Sequence, residues 1–120
     1  MERDWNIIRN VLLRLEEKGP EQHTLRAADF DNDPAVAYNV ELLEEAGLID
    51  ARMSKQIKGP VDFFVLRLTW DGHEFLDAIR SETVWARVRK TFTSNGLSMT
   101  FDLVKALALK YATELILPSS

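Results

Sequence analysis

Asp33-Pro-Ala-Val-Ala-Tyr-Asn-Val-Glu-Leu-Leu-Glu-Glu-Ala-Gly47, running straight into Leu48-Ile49, decides the fold. Asp33 can accept a hydrogen bond from an unpaired helical N–H, and Pro34 suits the first helical position. Val36, Val40 and Leu43, with Leu42 and Ala46 beside them, recur at helical spacing. Gly47 supplies the left-handed residue that stops the helix. A helix that ends in Glu-Ala-Gly-Leu-Ile and turns into a strand is the handover from a recognition-type helix to a wing. Outward from it, the reading is an α+β fold: a winged helix-turn-helix-like domain with a two- or three-stranded antiparallel wing and additional C-terminal helices.

On the N-terminal side, Asp4 is an expected N-cap for a helix from Trp5 to Lys18. Trp5, Ile8, Leu12 and Leu15, with Val11, form its apolar stripe, and Gly19-Pro20 ends it. His23 to Arg26 reads as a short strand. Ala27 to Phe30 reads as a reduced helical turn where the first helix of a helix-turn-helix would stand. Asp29 to Pro34 has turn chemistry.

On the C-terminal side, Leu48 to Met53 alternates, with Ile49, Ala51 and Met53 on one face and Asp50 and Arg52 on the other. Ser54 to Pro60 is a polar loop. Val61 to Leu68 is a second strand, with Phe64, Leu66 and Leu68 expected on one face and Phe63, Val65 and Arg67 on the other. Thr69 caps a helix to about Arg80 that buries Phe75, Leu76 and Ile79. Ser81 to Phe92 continues it past a kink, with Val84, Trp85 and Val88 as its apolar set. After the Ser94-Asn95-Gly96 loop, Thr100 caps a last helix to about Leu117. Its stripe is Phe101, Val104, Ala108, Tyr111 and Leu115, with Leu103 and Leu107 off it. We divide the chain into a winged-helix-like part, 1–80, and a helical extension, 81–120, packed on it or forming a dimer seam with Trp85.

Composition narrows the function. The chain of 120 residues has no cysteine, which excludes disulfides, thiolate catalysis and cysteine–zinc sites. No apolar run approaches the roughly 20 residues that span a bilayer, and the N-terminus lacks a secretory pattern; a cytoplasmic protein is expected. The net charge is −4 and unevenly spread. From Ala27 to Ala51 there are seven acids (Asp29, Asp31, Asp33, Glu41, Glu44, Glu45, Asp50) and no Lys or Arg; from Arg80 to Lys90 there are four bases against Glu82.

Leu68-Thr-Trp-Asp-Gly-His-Glu-Phe-Leu-Asp-Ala-Ile-Arg80 with Trp85, Arg3-Asp4 with Ile8-Arg9, Leu42-Leu43 with Glu45-Ala-Gly-Leu-Ile49, and the late Phe101-Asp102 and Lys105-Ala-Leu together resemble a family of short bacterial and prophage-encoded proteins of unknown function. The likeness covers almost the whole chain. It implies a winged-helix-like fold and a bacterial or prophage context, and no activity.

No chemistry stands out. His73-Glu74 begins His-Glu-x-x-His, but Asp77 stands where the second histidine must be, so the zinc face is absent. A hydrogen bond from His73 to Asp77 across one turn is the plainer expectation. Asp29, Asp31 and Asp33 offer oxygen ligands, but Pro34 occupies the calcium loop's glycine position, and a solvated turn is the simpler reading. No phosphate loop or nucleophile elbow occurs. No enzyme, metal or cofactor is expected.

Two binding readings remain. As a regulator of double-stranded DNA, the chain would place the 35–46 helix in a major groove. Ala35, Tyr38 and Asn39 would then be exposed, Asn39 reading adenine and Tyr38 reaching phosphate, with Lys55 and Lys58 of the wing on the backbone. Glu41, Glu44 and Glu45 on the same helix oppose this by Coulomb repulsion. As a protein-binding module, a phage or prophage accessory factor, it would offer Asp31, Asp33, Glu41, Glu44 and Glu45 to a host or phage protein, and its last helix to a second copy.

Overall fold

A computed structural model describes residues 2–18, 24–54 and 61–117. Gly19-Pro20, His23, Lys55 and Lys58, and with them most of the expected wing loop, lie outside the described residues. The chain divides into two compact units between Glu74 and Phe75.

In the first unit, α1 (Trp5–Glu17) is capped by Asp4, whose carboxylate accepts from the Asn6 and Ile7 N–H groups at 2.9 and 3.1 Å. Ile8, Val11, Leu12 and Leu15 are its buried stripe. A short strand, β1 (Leu25–Arg26), leads into a 3-10 turn over Ala27–Phe30. The reduced helical turn expected from the sequence is thus present. Arg14 ties it to α1, lying 4.2 Å over the Phe30 ring and donating to the Asp29 carbonyl at 2.6 Å. Asp31 and Asn32 both take left-handed backbone, φ 58° and 54°, a conformation that Asp and Asn tolerate better than most residues.

The next helix, α2 (Pro34–Glu45), starts on the Asp33 cap and the Pro34 first position as read. Gly47, at φ 77°, closes it. Leu48 N–H donates to the Leu43 carbonyl and Gly47 N–H to that of Glu44, both at 3.0 Å, the two bonds of a Schellman ending.

β2 (Ile49–Ser54) and β3 (Asp62–Leu68) then pair antiparallel, and β1 joins the other edge of β3, giving the order β1-β3-β2. The strand faces depart from strict alternation. Asp50 pairs with Arg67 but Ala51 pairs with Val65, so Leu66 is one residue too many on β3. This bulge turns the end of the strand over. Phe63, Val65 and Leu68 are therefore all buried, while Leu66 is 40 % exposed. The expected grouping of Leu68 with Phe64 and Leu66 is corrected on that ground.

α3 (Trp70–Ile79) carries the chain across the boundary between the units. Its start is fastened to the end of α2. Thr69 N–H donates to the Leu48 carbonyl at 3.1 Å, and Thr69 Oγ1 donates to the Gly47 carbonyl at 2.6 Å while accepting from Gly72 N–H at 3.0 Å. Gly72 lies against the Leu48 carbonyl, where a Cβ would come within 1.9 Å of the oxygen. The Leu-Thr-Trp-Asp-Gly run is thus a buried strand end, a cap and a close backbone crossing, with Trp70 77 % exposed on the outside.

The second unit contains the Phe75–Ile79 end of α3, where Phe75, Leu76 and Ile79 are buried as expected. The expected kink is a true break. Ser81 caps a new helix, α4 (Glu82–Asn95), by accepting from Val84 N–H, and Gly96 ends it at φ 63°. α5 (Phe101–Ile116) starts on Thr100, whose hydroxyl accepts from Leu103 N–H. Val104, Ala108 and Tyr111 are buried, whereas Leu115 is 59 % exposed. Arg87 clamps α4 to α5. It bonds Glu114 at 2.8 Å and lies 4.0 Å over the Tyr111 ring, and Thr91 and Tyr111 hydroxyls share a 2.6 Å hydrogen bond. Trp85, expected in a dimer seam, is 6 % exposed and belongs to the interior of this unit.

Candidate interaction face

Three of the residues named for DNA contact, Ala35, Tyr38 and Asn39, lie among the described residues, all on α2. Ala35 and Tyr38 are half-buried. Asn39 is fully buried. Its Nδ2 donates to the Ala35 carbonyl at 2.8 Å, and its Oδ1 accepts from Asp4 N–H at 2.8 Å. The expectation that Asn39 is exposed and reads adenine is therefore corrected. The reason is the packing of α1 on α2: the Asp4 cap turns its own N–H toward α2, and Asn39 is the side chain that satisfies it. Among the described residues no buried side-chain polar atom lacks a partner, and Asn39 is the one buried polar residue.

What α2 leaves outside is acidic. Glu44 and Glu45 are exposed and Glu41 half-buried, with Asp31 and Asp33 exposed just before the helix. The sequence from Ala27 to Ala51 contains no Lys or Arg. Two of the acids also work locally. Asp33 caps α2 through Ala35 N–H at 2.9 Å, and Asp29 accepts from Arg26 N–H at 2.8 Å. Among the described residues no group of His, Asp and Glu side chains is placed to hold a metal. His73 is exposed, and Asp77 pairs not with it but with Arg80, at 2.9 Å.

The sheet carries the opposite charge, a feature the strand-by-strand reading missed because it needs the pairing register. Arg26 and Arg52 are both opposite Phe64, so a row of arginine, phenylalanine and arginine crosses the outer face. Arg26 lies 4.8 Å over the Phe64 ring and bonds Asp62 at 2.6 Å; Arg67 bonds Asp50 at 2.7 Å. Arg52 donates to the neighbouring Ala51 carbonyl, and among the described residues no carboxylate pairs with it.

Asp62 is the group here with a displaced pKa. The Arg26 hydrogen bond, then the Phe63 N–H at 2.8 Å and the Ala27 N–H at 3.2 Å, hold its carboxyl below the usual carboxylate range. A lowered folded pKa contributes stability above about pH 4, the ordinary Asp value, which is lost as pH falls through the lowered value. Asp62→Asn is expected to be less stable than wild type at neutral pH and to lose less on acidification. Urea midpoints measured from pH 7 down to pH 2.5 check this.

The model of the family described as Hypothetical protein (DUF2513) matches residues 2–98. The chain belongs to the DUF2513 family. An uncharacterized protein of Haemophilus influenzae Rd is 33 % identical over 118 residues, 97 % of this chain and 99 % of the relative. No solved structure matches. The DUF2513 match contains the α2–β2–β3–α3 crossing and ends at Ser98, before α5. No helix among the described residues is long and apolar enough to cross a membrane.

Proposed function

We propose that this DUF2513 chain is a non-enzymatic, cytoplasmic, winged-helix-like module whose α2 face docks on a basic surface of a bacterial or phage protein. Support for the winged-helix reading comes from the element order helix, strand, turn, helix, hairpin and from the strand order β1-β3-β2. In this reading α2 stands where a recognition helix stands, and the 3-10 turn replaces the helix before it.

The observation that carries the protein-docking reading is the exposed side of α2. It presents Glu44 and Glu45, with Glu41 half-buried beside them, on a helix whose own sequence carries no Lys or Arg, while its candidate base-reading residue, Asn39, is consumed inside. Phosphate binding needs cations on the docking element. A protein surface rich in Lys and Arg needs what α2 has, and gains association rate from it. In affinity capture from extract of the encoding organism, the wild-type chain is expected to retain a protein that is released by salt. The Glu41→Lys/Glu44→Lys/Glu45→Lys variant is expected to retain at most a tenth as much. Equal capture by both, or retention of nucleic acid alone, contradicts the proposal.

A second reading rests on Arg52, which among the described residues pairs with no carboxylate and stands level with Phe64 on the sheet. It is that the β2–β3 hairpin, with Lys55 and Lys58, contacts a DNA backbone. A low-salt gel shift abolished by Arg52→Ala supports it, and no shift with wild type removes it.

A further inference from the structure

β2 is an edge strand. The order β1-β3-β2 leaves one side of it with no strand beside it among the described residues. The ladder fixes which backbone groups face that open side. Thr69 N–H donates to the Leu48 carbonyl, so Leu48 turns its carbonyl toward the β3 side. Backbone polar groups alternate in direction along a strand. Asp50, Arg52 and Ser54 therefore also face β3, and Ile49, Ala51 and Met53 turn their N–H and C=O groups outward. In keeping with this, the Ala51 carbonyl accepts from the Arg52 guanidinium, at 3.3 Å. An open edge of this kind is a template for a further strand.

We propose that the further strand is β2 of a second copy of this chain, antiparallel, about a twofold axis through Ala51 normal to the sheet. Two three-stranded sheets then become one of six strands. Burial and charge together choose the occupant and the register. Ile49 and Ala51 are buried on the core face, and a strand with one buried face pairs only so that core-facing residues stand opposite core-facing ones. The axis must then pass through a residue. At Asp50 it would set Asp50 against Asp50, and at Arg52 it would set Arg52 against Arg52. Like charges directly opposite are destabilising. At Ala51, Asp50 of each copy meets Arg52 of the other on the outer face, and Ile49 meets Met53 on the core face. Ser54 comes opposite Leu48, so this register spans the whole of β2.

The same register satisfies the outward backbone groups. Each Ala51 N–H donates to the Ala51 carbonyl of the other copy, taking over the bond now made by Arg52. Ile49 and Met53 exchange both of their bonds. Asp50 and Arg52 fall in the pair without backbone bonds, where the Cα atoms approach to about 4.5 Å and side chains lie closest. Both are ready for it. Among the described residues Arg52 pairs with no carboxylate. Asp50 uses Oδ2 on Arg67 at 2.7 Å, its side chain is 38 % exposed, and Oδ1 is left for the arriving guanidinium.

Sedimentation equilibrium of the full chain, with amide hydrogen exchange, tests this. Wild type is expected to be a dimer in which the N–H groups of Ile49, Ala51 and Met53 are protected. On dilution to monomer those three are expected to exchange freely while Asp50 and Arg52 stay protected by β3. Arg52→Asp sets a carboxylate against Asp50 at both contacts and is expected to weaken the dimer about tenfold or more. Met53→Pro removes an N–H that faces the open side and leaves the bonds to β3 in place. It is expected to be a monomer with an unchanged circular dichroism spectrum. A wild-type monomer at every concentration overturns the proposal. So does a dimer in which Ile49, Ala51 and Met53 exchange freely, or one indifferent to Arg52→Asp.

Discussion

Gly72→Ala is expected to destabilise the protein by about 3 kcal/mol, the upper part of the range for forcing atoms into a packed site. Intrinsic propensity predicts the reverse, since Ala is favoured over Gly inside a helix by about 1 kcal/mol. Space decides the sign. A Cβ at Gly72 would stand 1.9 Å from the Leu48 carbonyl oxygen, and that oxygen already accepts from Thr69 N–H at 3.1 Å. A backbone oxygen cannot swing away as a side chain can. Either α3 lifts off, breaking the Thr69 cap, or the start of β2 shifts against β3. Gly47→Ala and Gly96→Ala are the controls. Both glycines have left-handed φ, 77° and 63°, but nothing lies within 4 Å of an added Cβ. Each is expected to lose only the about 1–2 kcal/mol of that backbone conformation. Thermal melts of the three variants check the order. Equal losses at the three positions would mean that the crossing at Gly72 is not a close one.

The second large effect is at Asn39. Asn39→Asp keeps the shape and replaces a donor with a carboxylate. The Ala35 carbonyl, now 2.8 Å from Nδ2, would face an acceptor in a fully buried site. Burying an ion without a partner costs several kcal/mol, so the group instead holds its proton in the folded state. The folded pKa of the introduced carboxylate is raised above the unfolded value of about 3.9. Its sign is opposite to that of Asp62. The variant is expected to match wild type below that unfolded value, where the protonated group can still donate to the Ala35 carbonyl. Its stability then falls relative to wild type as pH rises through the raised pKa. Asn39→Ala leaves the Asp4 N–H without its partner and is expected to cost about 1–3 kcal/mol at any pH. Denaturant midpoints of both variants from pH 3 to pH 8 check this. A pH-independent difference for Asn39→Asp would mean that the side chain is solvated, and would reopen it as a surface reader.

Local chemistry made most of the elements legible. Asp4, Asp33, Thr69 and Thr100 each mark a helix start, and each carries the cap hydrogen bond that its residue type suggests. Gly47 marks a stop for the same local reason. The short turn at Ala27–Phe30 was readable because only Ala27 and Ala28 separate an expected strand from turn chemistry, which leaves no room for a full helix. Features that depend on two distant segments were not legible. The bulge at Leu66 follows from pairing with β2, and it overrides the alternation that put Leu68 beside Phe64. The Arg26–Phe64–Arg52 row needs three strands in register. Asn39 looked exposed because of its polar type, although it stands three residues after Val36 and four before Leu43, on the buried stripe; what its type could not show is the Asp4 N–H that it meets there. Asn also fits a buried site and a DNA-reading site equally well by type, so composition could not separate them. The acidic side of α2 was the most direct reading, since a run of 25 residues without a base must leave its carboxylates outside whatever the packing.

That side carries the functional account, and a per-residue titration with DNA tests it most directly. Amide resonances of the ¹⁵N-labelled chain are followed as double-stranded DNA is added at low ionic strength, where phosphate contacts are strongest. The account predicts no change at Ala35, Tyr38, Glu41, Glu44 and Glu45, whether or not the β2–β3 hairpin responds. Saturable shifts at those α2 residues would contradict it and return the helix to a groove of DNA.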